Sequence, residues 1–184
     1  MRVMTVETVT TFVGLGSNLG DRAGNLLYAV RGLHEAGICV KRISAIYETV
    51  PVGVEKHPPY LNMVAEAEIK NISPEQMLAR MLRIEYLLGR RRTEPKAPRT
   101  VDLDLLLFGN LKYHSDFLDV PHPQMHLRRF VLVPLDELLP RFVHPILKKT
   151  IHELLTQTPD KSAVVRWQPA SLLAADLKVA AAKN

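Results

Sequence analysis

The chain has 184 residues, 47% hydrophobic and 23% charged, the balance of a folded domain and not of a disordered or membrane-embedded chain. Lysine and arginine outnumber aspartate and glutamate 24 to 19, a net charge of +5 that favours anionic partners such as nucleotides, nucleic acid or acidic membrane. One cysteine, Cys39, excludes an internal disulfide, and with no secretory-type apolar core at the start and no run of membrane-spanning length, a cytoplasmic protein with no membrane partner is expected.

Residues 8–15 read as a first strand, ending in Gly14-Leu15-Gly16-Ser17-Asn18-Leu19-Gly20-Asp21. The glycine spacing is one residue off the dinucleotide fingerprint, and no Gly-Lys-Ser/Thr follows, so neither nucleotide motif is present. Asn18 can reach a polar ligand from this turn or close a local Asx turn. Residues 21–36 form an amphipathic helix with Leu26, Val30 and Leu33 on one stripe and Leu27 beside it, stopped by Gly37. A second strand spans about 40–48. Residues 49–59, with three prolines, make a loop long enough to be functional as well as connecting. In the strand over 60–69, Leu61, Met63, Ala65, Ala67 and Ile69 face one side, and Asn62, Val64, Glu66 and Glu68 the other.

Ser73-Pro74-Glu75-Gln76 is a capping box with proline at the first helical position, and Gly89 closes that helix. Its apolar stripe is Met77, Met81, Ile84 and Leu88. Glu85 opposes the helix dipole near the C-terminus, which suits either a ligand contact or a surface pairing with Arg90. The segment 90–99 carries five basic residues against one acid, with two prolines. Arginine forks match phosphate oxygens, so a basic loop here suits polyphosphate binding.

From Pro98 the chain reads as a strand, Arg99-Thr100-Val101-Asp102-Leu103-Asp104-Leu105-Leu106-Leu107-Phe108. Period two points Val101, Leu103, Leu105 and Leu107 one way. Asp102 and Asp104 share the other face with Leu106 and Phe108, their carboxylates roughly 7 Å apart. Adjacent acids on a partly apolar face need a positive partner, and Mg²⁺ prefers one or two carboxylates together with substrate phosphates. Leu111 to Tyr113 suggests a short pairing strand. His122 and His126 lack the companions a zinc site needs. Residues 130–139 read as a buried helix that Pro134 should bend or break. Residues 150–155 suggest a short helix, 163–167 a strand, and 171–184 a helix or tail. One domain over 8–160 with an extension over 161–184 is expected.

Taken together, Gly16-Ser17-Asn18-Leu19-Gly20, Tyr47-Glu48-Thr49 leading to Val52-Gly53, Tyr60-Leu61-Asn62, Arg90-x-Arg92, Pro98-Arg99-Thr100-Val101-Asp102-Leu103-Asp104 and Pro121-His122-Pro123 with Arg128-x-Phe130 run in one order. That ordered set resembles the 6-hydroxymethyl-7,8-dihydropterin pyrophosphokinase family of folate biosynthesis. The resemblance implies an α+β, ferredoxin-like antiparallel sheet with helices on one face. It implies transfer of pyrophosphate from ATP to the pterin hydroxymethyl oxygen, leaving AMP. It assigns two Mg²⁺ ions to Asp102 and Asp104, the transferring group to Arg90 and Arg99, and ATP contacts to Glu85, Arg92, His122 and Arg128. It places the reduced pterin between Tyr60 and Phe130, with Asn18, Asn62, Thr49, Val50 and Val52 meeting its polar edge. Many members carry another arginine and a Trp-Gly before the Pro-Arg, where this chain has Glu94-Pro95-Lys96-Ala97.

Two rival readings follow from the residues: another metal-dependent nucleotide enzyme, and a basic nucleic-acid module. Only 6% aromatic residues, with no strand-spaced pairs for base stacking, argues against the second. The expectation is therefore ATP and a pterin as small-molecule partners, no nucleic acid, and a monomer.

Overall fold

A computed structural model describes residues 8–50, 58–91 and 97–169. Most of the proline loop, the centre of the arginine segment and the 171–184 stretch lie outside the described residues. The main chain order is β1 (Thr8–Ser17), α1 (Arg22–Glu35), β2 (Cys39–Ile43), β3 (Tyr47–Thr49), β4 (Tyr60–Lys70), α2 (Pro74–Leu87) and β5 (Asp102–Phe108). A short ribbon of β6 (Tyr113–His114) and β7 (Asp119–Val120) follows, then α3 (Arg129–Leu138), α4 (Ile151–Gln157) and β8 (Val164–Arg166).

The two longest strands, β1 and β4, form the centre, paired antiparallel from Thr8 opposite Lys70 to Ser17 opposite Leu61. The sheet order is β5-β1-β4-β3-β8, with β2 also on β4 and every pairing antiparallel. With α1 and α2 as the crossovers this is the ferredoxin-like arrangement. The second strand expected over 40–48 is two strands, split at Ser44. There the Ser44 N–H donates to the Val64 carbonyl at 2.9 Å, while its Oγ accepts the Val64 N–H at 3.0 Å, replacing the backbone acceptor of a continuous ladder. At the far edge β8 pairs with β3, and Trp167 N–H reaches the Ile46 carbonyl at 2.9 Å, so the sheet extends past residue 160.

The helix punctuation is as read from sequence. Asp21 accepts from Gly24 N–H at 3.0 Å, Ser73 and Gln76 form the capping box of α2, and Gly37 and Gly89 take positive φ after the helix ends. In α1 the buried residues are Leu26, Ala29 and Leu33, a 3.6-residue stripe, whereas Leu27 points to solvent.

Helices cover both faces of the sheet, where the resemblance implied one. Leu26, Leu33, Met77, Met81 and Ile84 of α1 and α2 pack on Val13, Leu15, Met63, Ala65 and Leu105. On the other face Val131, Leu132 and Leu135 of α3, with Ile151 and Leu154 of α4, cover Phe12, Val64, Leu106 and Leu107. The reason is in the strands, which carry large apolar residues on both sides of their pleat. Each such side chain contributes about 1.5–3 kcal/mol only when covered. α3 runs through the buried Pro134 without a break; in this position only the Phe130 carbonyl loses its helical donor.

β5 departs from strict alternation. Leu107 faces Phe12 and Leu105 faces Val13, leaving Leu106 as the extra residue of a bulge. Leu107 therefore joins Leu106 on the α3 face and Phe108 turns to the α1–α2 face, the reverse of the period-two expectation. Among the described residues no helix is long and apolar enough to cross a membrane.

Candidate active site

The cavity opens where the α3 face of the sheet changes character. Along β1 that face runs from Phe12 to Gly14 and Gly16. Along β4 it passes from Val64 to Asn62, and along β5 from Leu106 to Asp104 and Asp102. In register, Asp102, Gly16 and Asn62 form one row across the three strands, and Asp104, Gly14 and Val64 the next. A Cβ on Gly16 would sit 3.3 Å from Asn62 Oδ1 and 3.9 Å from the Asp102 Cβ. Glycine there leaves a bare floor between a carboxylate and an amide that two strand spacings hold about 10 Å apart.

Walls are added by Arg99, Tyr60, Thr49 and Val50, by Arg128 and Phe130 at the start of α3, and by Pro159, Asp160 and Ser162 after α4. The enclosed space is about 850 Å³, the size of a small-molecule site.

Its charges are arranged around Asp102. Oδ2 accepts from Arg99 Nη1 at 2.6 Å, and Oδ1 accepts from Arg90 Nη1. Arg90 also donates to Glu85 Oε1, which in turn accepts the Leu103 N–H at 2.8 Å. That amide lies between the two aspartates on the outer edge of β5, where no further strand pairs among the described residues. Glu85 is thus a buried carboxylate that closes a sheet edge and holds an arginine against Asp102. It does not line the cavity, although it was expected at the nucleotide.

Burial pushes the Asp104 carboxyl above its ordinary pKa, and the neighbouring Asp102 charge adds to the shift, with His122, Arg128 and Arg90 opposing. Asp104 makes no hydrogen bond or ion pair to the described residues. Burial works against the Arg99 charge as well, but Asp102 outweighs it and holds the guanidinium above its usual pKa. Burial lowers His122, against the pull of Asp104. Its Nδ1 accepts the Gln124 N–H at 3.2 Å, so the neutral ring carries its proton on Nε2.

The fold brings Thr49, Val50, Tyr60, Asn62, Arg99, Asp102, Asp104, Arg128 and Phe130 to one cavity. Glu85, Arg90, His122 and Asn18 stand outside its lining. Asn18 was expected to meet a ligand; instead it grips the Arg99 backbone. Its Oδ1 accepts the Arg99 N–H at 2.8 Å and its own N–H donates to the Arg99 carbonyl at 3.2 Å. Its Nδ2 is buried with no hydrogen-bond partner among the described residues. Asn62 Nδ2 donates to Thr49 Oγ1 at 2.9 Å, tying β4 to the loop start. Val52 and Arg92 lie outside the described residues. Sequence reasoning missed Gly14 and Gly16 as floor, and Pro159, Asp160 and Ser162 as wall. The Asp160-x-Ser162 spacing, an Asx-turn pattern, was the available signal for the last group.

The chain matches the family model described as 7,8-dihydro-6-hydroxymethylpterin-pyrophosphokinase (HPPK) over residues 12–140. It is 44% identical over 161 residues to the 2-amino-4-hydroxy-6-hydroxymethyldihydropteridine pyrophosphokinase of Bacillus subtilis, covering 87% of this chain and 91% of that protein. The protein of the same name from Synechocystis is 42% identical over 146 residues, 79% of this chain and 74% of the relative. The mitochondrial folate synthesis bifunctional protein of Pisum sativum is 40% identical over 127 residues, 69% of this chain but 24% of the longer protein. Among solved structures, wild-type Plasmodium falciparum HPPK-DHPS with pterin and p-hydroxybenzoate superposes with a TM-score of 0.66 at 17% identity. That likeness, one of fold, covers 84% of this chain and 44% of the Plasmodium chain.

Proposed function

The chain belongs to the 7,8-dihydro-6-hydroxymethylpterin-pyrophosphokinase family, and from that premise we propose how its residues divide the work. The reaction transfers pyrophosphate from ATP to the hydroxymethyl group of 6-hydroxymethyl-7,8-dihydropterin, giving the pterin diphosphate and AMP, in folate biosynthesis. The observation that carries the assignment is the row Asp102–Gly16–Asn62, which sets a phosphate-side acid and a heterocycle-side amide on one bare floor.

In this reading the flat pterin lies between Tyr60 and Phe130, where two aromatic faces offer stacking. Asn62, with Thr49 and Val50 beside it, meets the ring's donors and acceptors, and Val52 is assigned to the same ligand. The polar edge is what selects a pterin, since a buried amide left unpaired by the wrong ring is costly.

The phosphate side is built for a strongly anionic ligand. Asp102 and Asp104 would hold two Mg²⁺ ions, and three features fit that role. Both acids line the cavity from one strand face, Asp104 lacks a partner among the described residues, and no third metal-binding side chain clusters with them there. Mg²⁺ takes its remaining ligands from phosphates and water in such sites. When bound, the ions neutralise the polyphosphate and stabilise charge at the β-phosphorus. Arg99 and Arg90, both paired to Asp102, would turn to the transferring group. Arg128 and His122, with Arg92, serve the triphosphate. The chain supplies position and charge, because phosphoryl transfer leaves little covalent work to side chains.

The cavity lining among the described residues comes from one chain, and a monomer is taken as the working unit. Incubation with ATP, Mg²⁺ and the hydroxymethyl-dihydropterin should yield pterin diphosphate and AMP in equal amounts, with turnover lost on adding EDTA. Release of inorganic pyrophosphate or ADP would point to the rival metal-dependent nucleotide enzyme.

A further inference from the structure

The family match ends at residue 140, yet Pro159, Asp160 and Ser162 form part of the cavity wall. We propose that Asp160 is a positioning residue for the pterin site: its carboxylate caps α3 from a distant segment and so fixes Phe130 and Arg128 against the substrate. This rests on the reading that the cavity takes the pterin.

The first turn of a helix presents N–H groups that need acceptors, and a negative charge there is favoured by the helix dipole. At α3 the N-cap residue is Arg128, whose side chain makes no capping hydrogen bond. In its place Asp160 Oδ2 accepts the Arg129 N–H at 2.8 Å, from 31 residues away. The carboxylate is itself held. Oδ1 accepts the Ser162 N–H at 2.8 Å, and the Asp160 N–H meets Oγ1 of the buried Thr158 at 3.4 Å. Burial disfavours the Asp160 charge, but the N–H donors of Ser162 and Arg129 outweigh it and keep its pKa below the ordinary value.

The amide that Asp160 holds belongs to the residue between Arg128 and Phe130. Both neighbours line the cavity, with the Arg128 guanidinium 5.7 Å from the Phe130 ring centre. Releasing the turn moves the stacking ring and the cation together. The aspartate pair and Arg99 sit on another element and stay in place.

The test compares wild type, Asp160→Ala and Asp160→Asn as full chains. It measures equilibrium binding of 6-hydroxymethylpterin with Mg²⁺ and a non-hydrolysable ATP analogue, steady-state kinetics and thermal melts. Asp160→Ala should bind the pterin about tenfold more weakly, the scale of one lost cap read out on affinity, with a smaller rise in KM for ATP passed on through Arg128. Asp160→Asn, which keeps one acceptor oxygen, should fall between. Pterin affinity unchanged in Asp160→Ala overturns the proposal, as does equal loss of pterin and ATP binding. Should Asp160→Ala fail to fold, Asp160→Asn decides: pterin binding weakened more than ATP binding supports the role, and wild-type behaviour sinks it. If wild type itself binds no pterin, the reading of the cavity fails and takes this role with it.

Discussion

Arg99 and Asp102 face each other at 2.6 Å across the start of β5, joining the arginine segment to the strand that carries both candidate metal ligands. Asp102 is shared with Arg90, which also pairs with Glu85, so two carboxylates and two guanidiniums balance at this edge of the site. On the proposed function, phosphate oxygens would take over the arginines and leave the Asp102 carboxylate to a metal ion. The pairing is a preorganised reservoir of charge, and its members can be tested one at a time.

Arg99→Ala should lower kcat by about 10²–10³, the range for removing one preorganised charge stabiliser, with far less effect on KM for the pterin. Arg99→Lys should recover only part, since an ammonium cannot present the guanidinium fork. Steady-state kinetics with both substrates varied checks this, and unchanged turnover in the alanine variant would remove Arg99 from the reaction.

The two aspartates should respond in opposite directions. Asp104 is destabilised by burial and by Asp102, so Asp104→Asn should raise the melting temperature of the metal-free protein by about 2–4 °C. Asp102→Asn breaks contacts to both arginines and should lower it. Both variants should lose most Mg-ATP affinity. Differential scanning calorimetry with and without Mg-ATP reads all of this, and a falling melting temperature in Asp104→Asn would refute the burial argument.

Much of this site was legible in the chain because its parts follow local rules. The capping box at Ser73, the alternation that sets Asn62 opposite Leu61, and the placement of both aspartates on one strand face all come from periods of 2.0 and 3.6. What was not legible depends on contacts between distant segments. Glu85 reads in sequence as a misplaced helix-end charge, and only the docking of α2 beside the edge of β5 makes it a buried acceptor for Leu103. Asn18 reads as a ligand contact or a local Asx turn, and its grip on the Arg99 backbone, 81 residues away, has no local signal. The bulge at Leu106 and the arrival of β8 beside β3 leave no periodic mark, because each is decided by the neighbouring strand.

Glu85→Gln separates charge from shape at that buried joint. Glutamine can still accept the Leu103 N–H but no longer offsets Arg90, so kcat should fall about tenfold while the fold holds. Glu85→Ala should cost about 1–3 kcal/mol, because it leaves the buried Leu103 amide without its acceptor and takes from Arg90 one of its two carboxylate partners. Urea melts beside steady-state rates give both numbers. Equal stability for wild type and Glu85→Ala would show that the carboxylate is dispensable to the edge.

Away from the cavity, His144 should make the protein acid-sensitive. It lies buried between α3 and α4, its Nδ1 accepting the Ile146 and Leu147 N–H groups at 3.2 Å each. Burial, aided by repulsion from His126, lowers its pKa from 6.5 to about 4. Between those values the unfolded chain binds a proton that the folded chain refuses, so stability rises with pH across this window and is lost as pH falls through it. The whole effect is at most about 3 kcal/mol. His144→Asn offers an oxygen where Nδ1 stood and has no proton to take up, so its unfolding free energy should vary less between pH 4 and 6.5. Denaturant melts of both proteins at half-unit steps make the comparison; parallel curves would mean that some other group governs the acid limb.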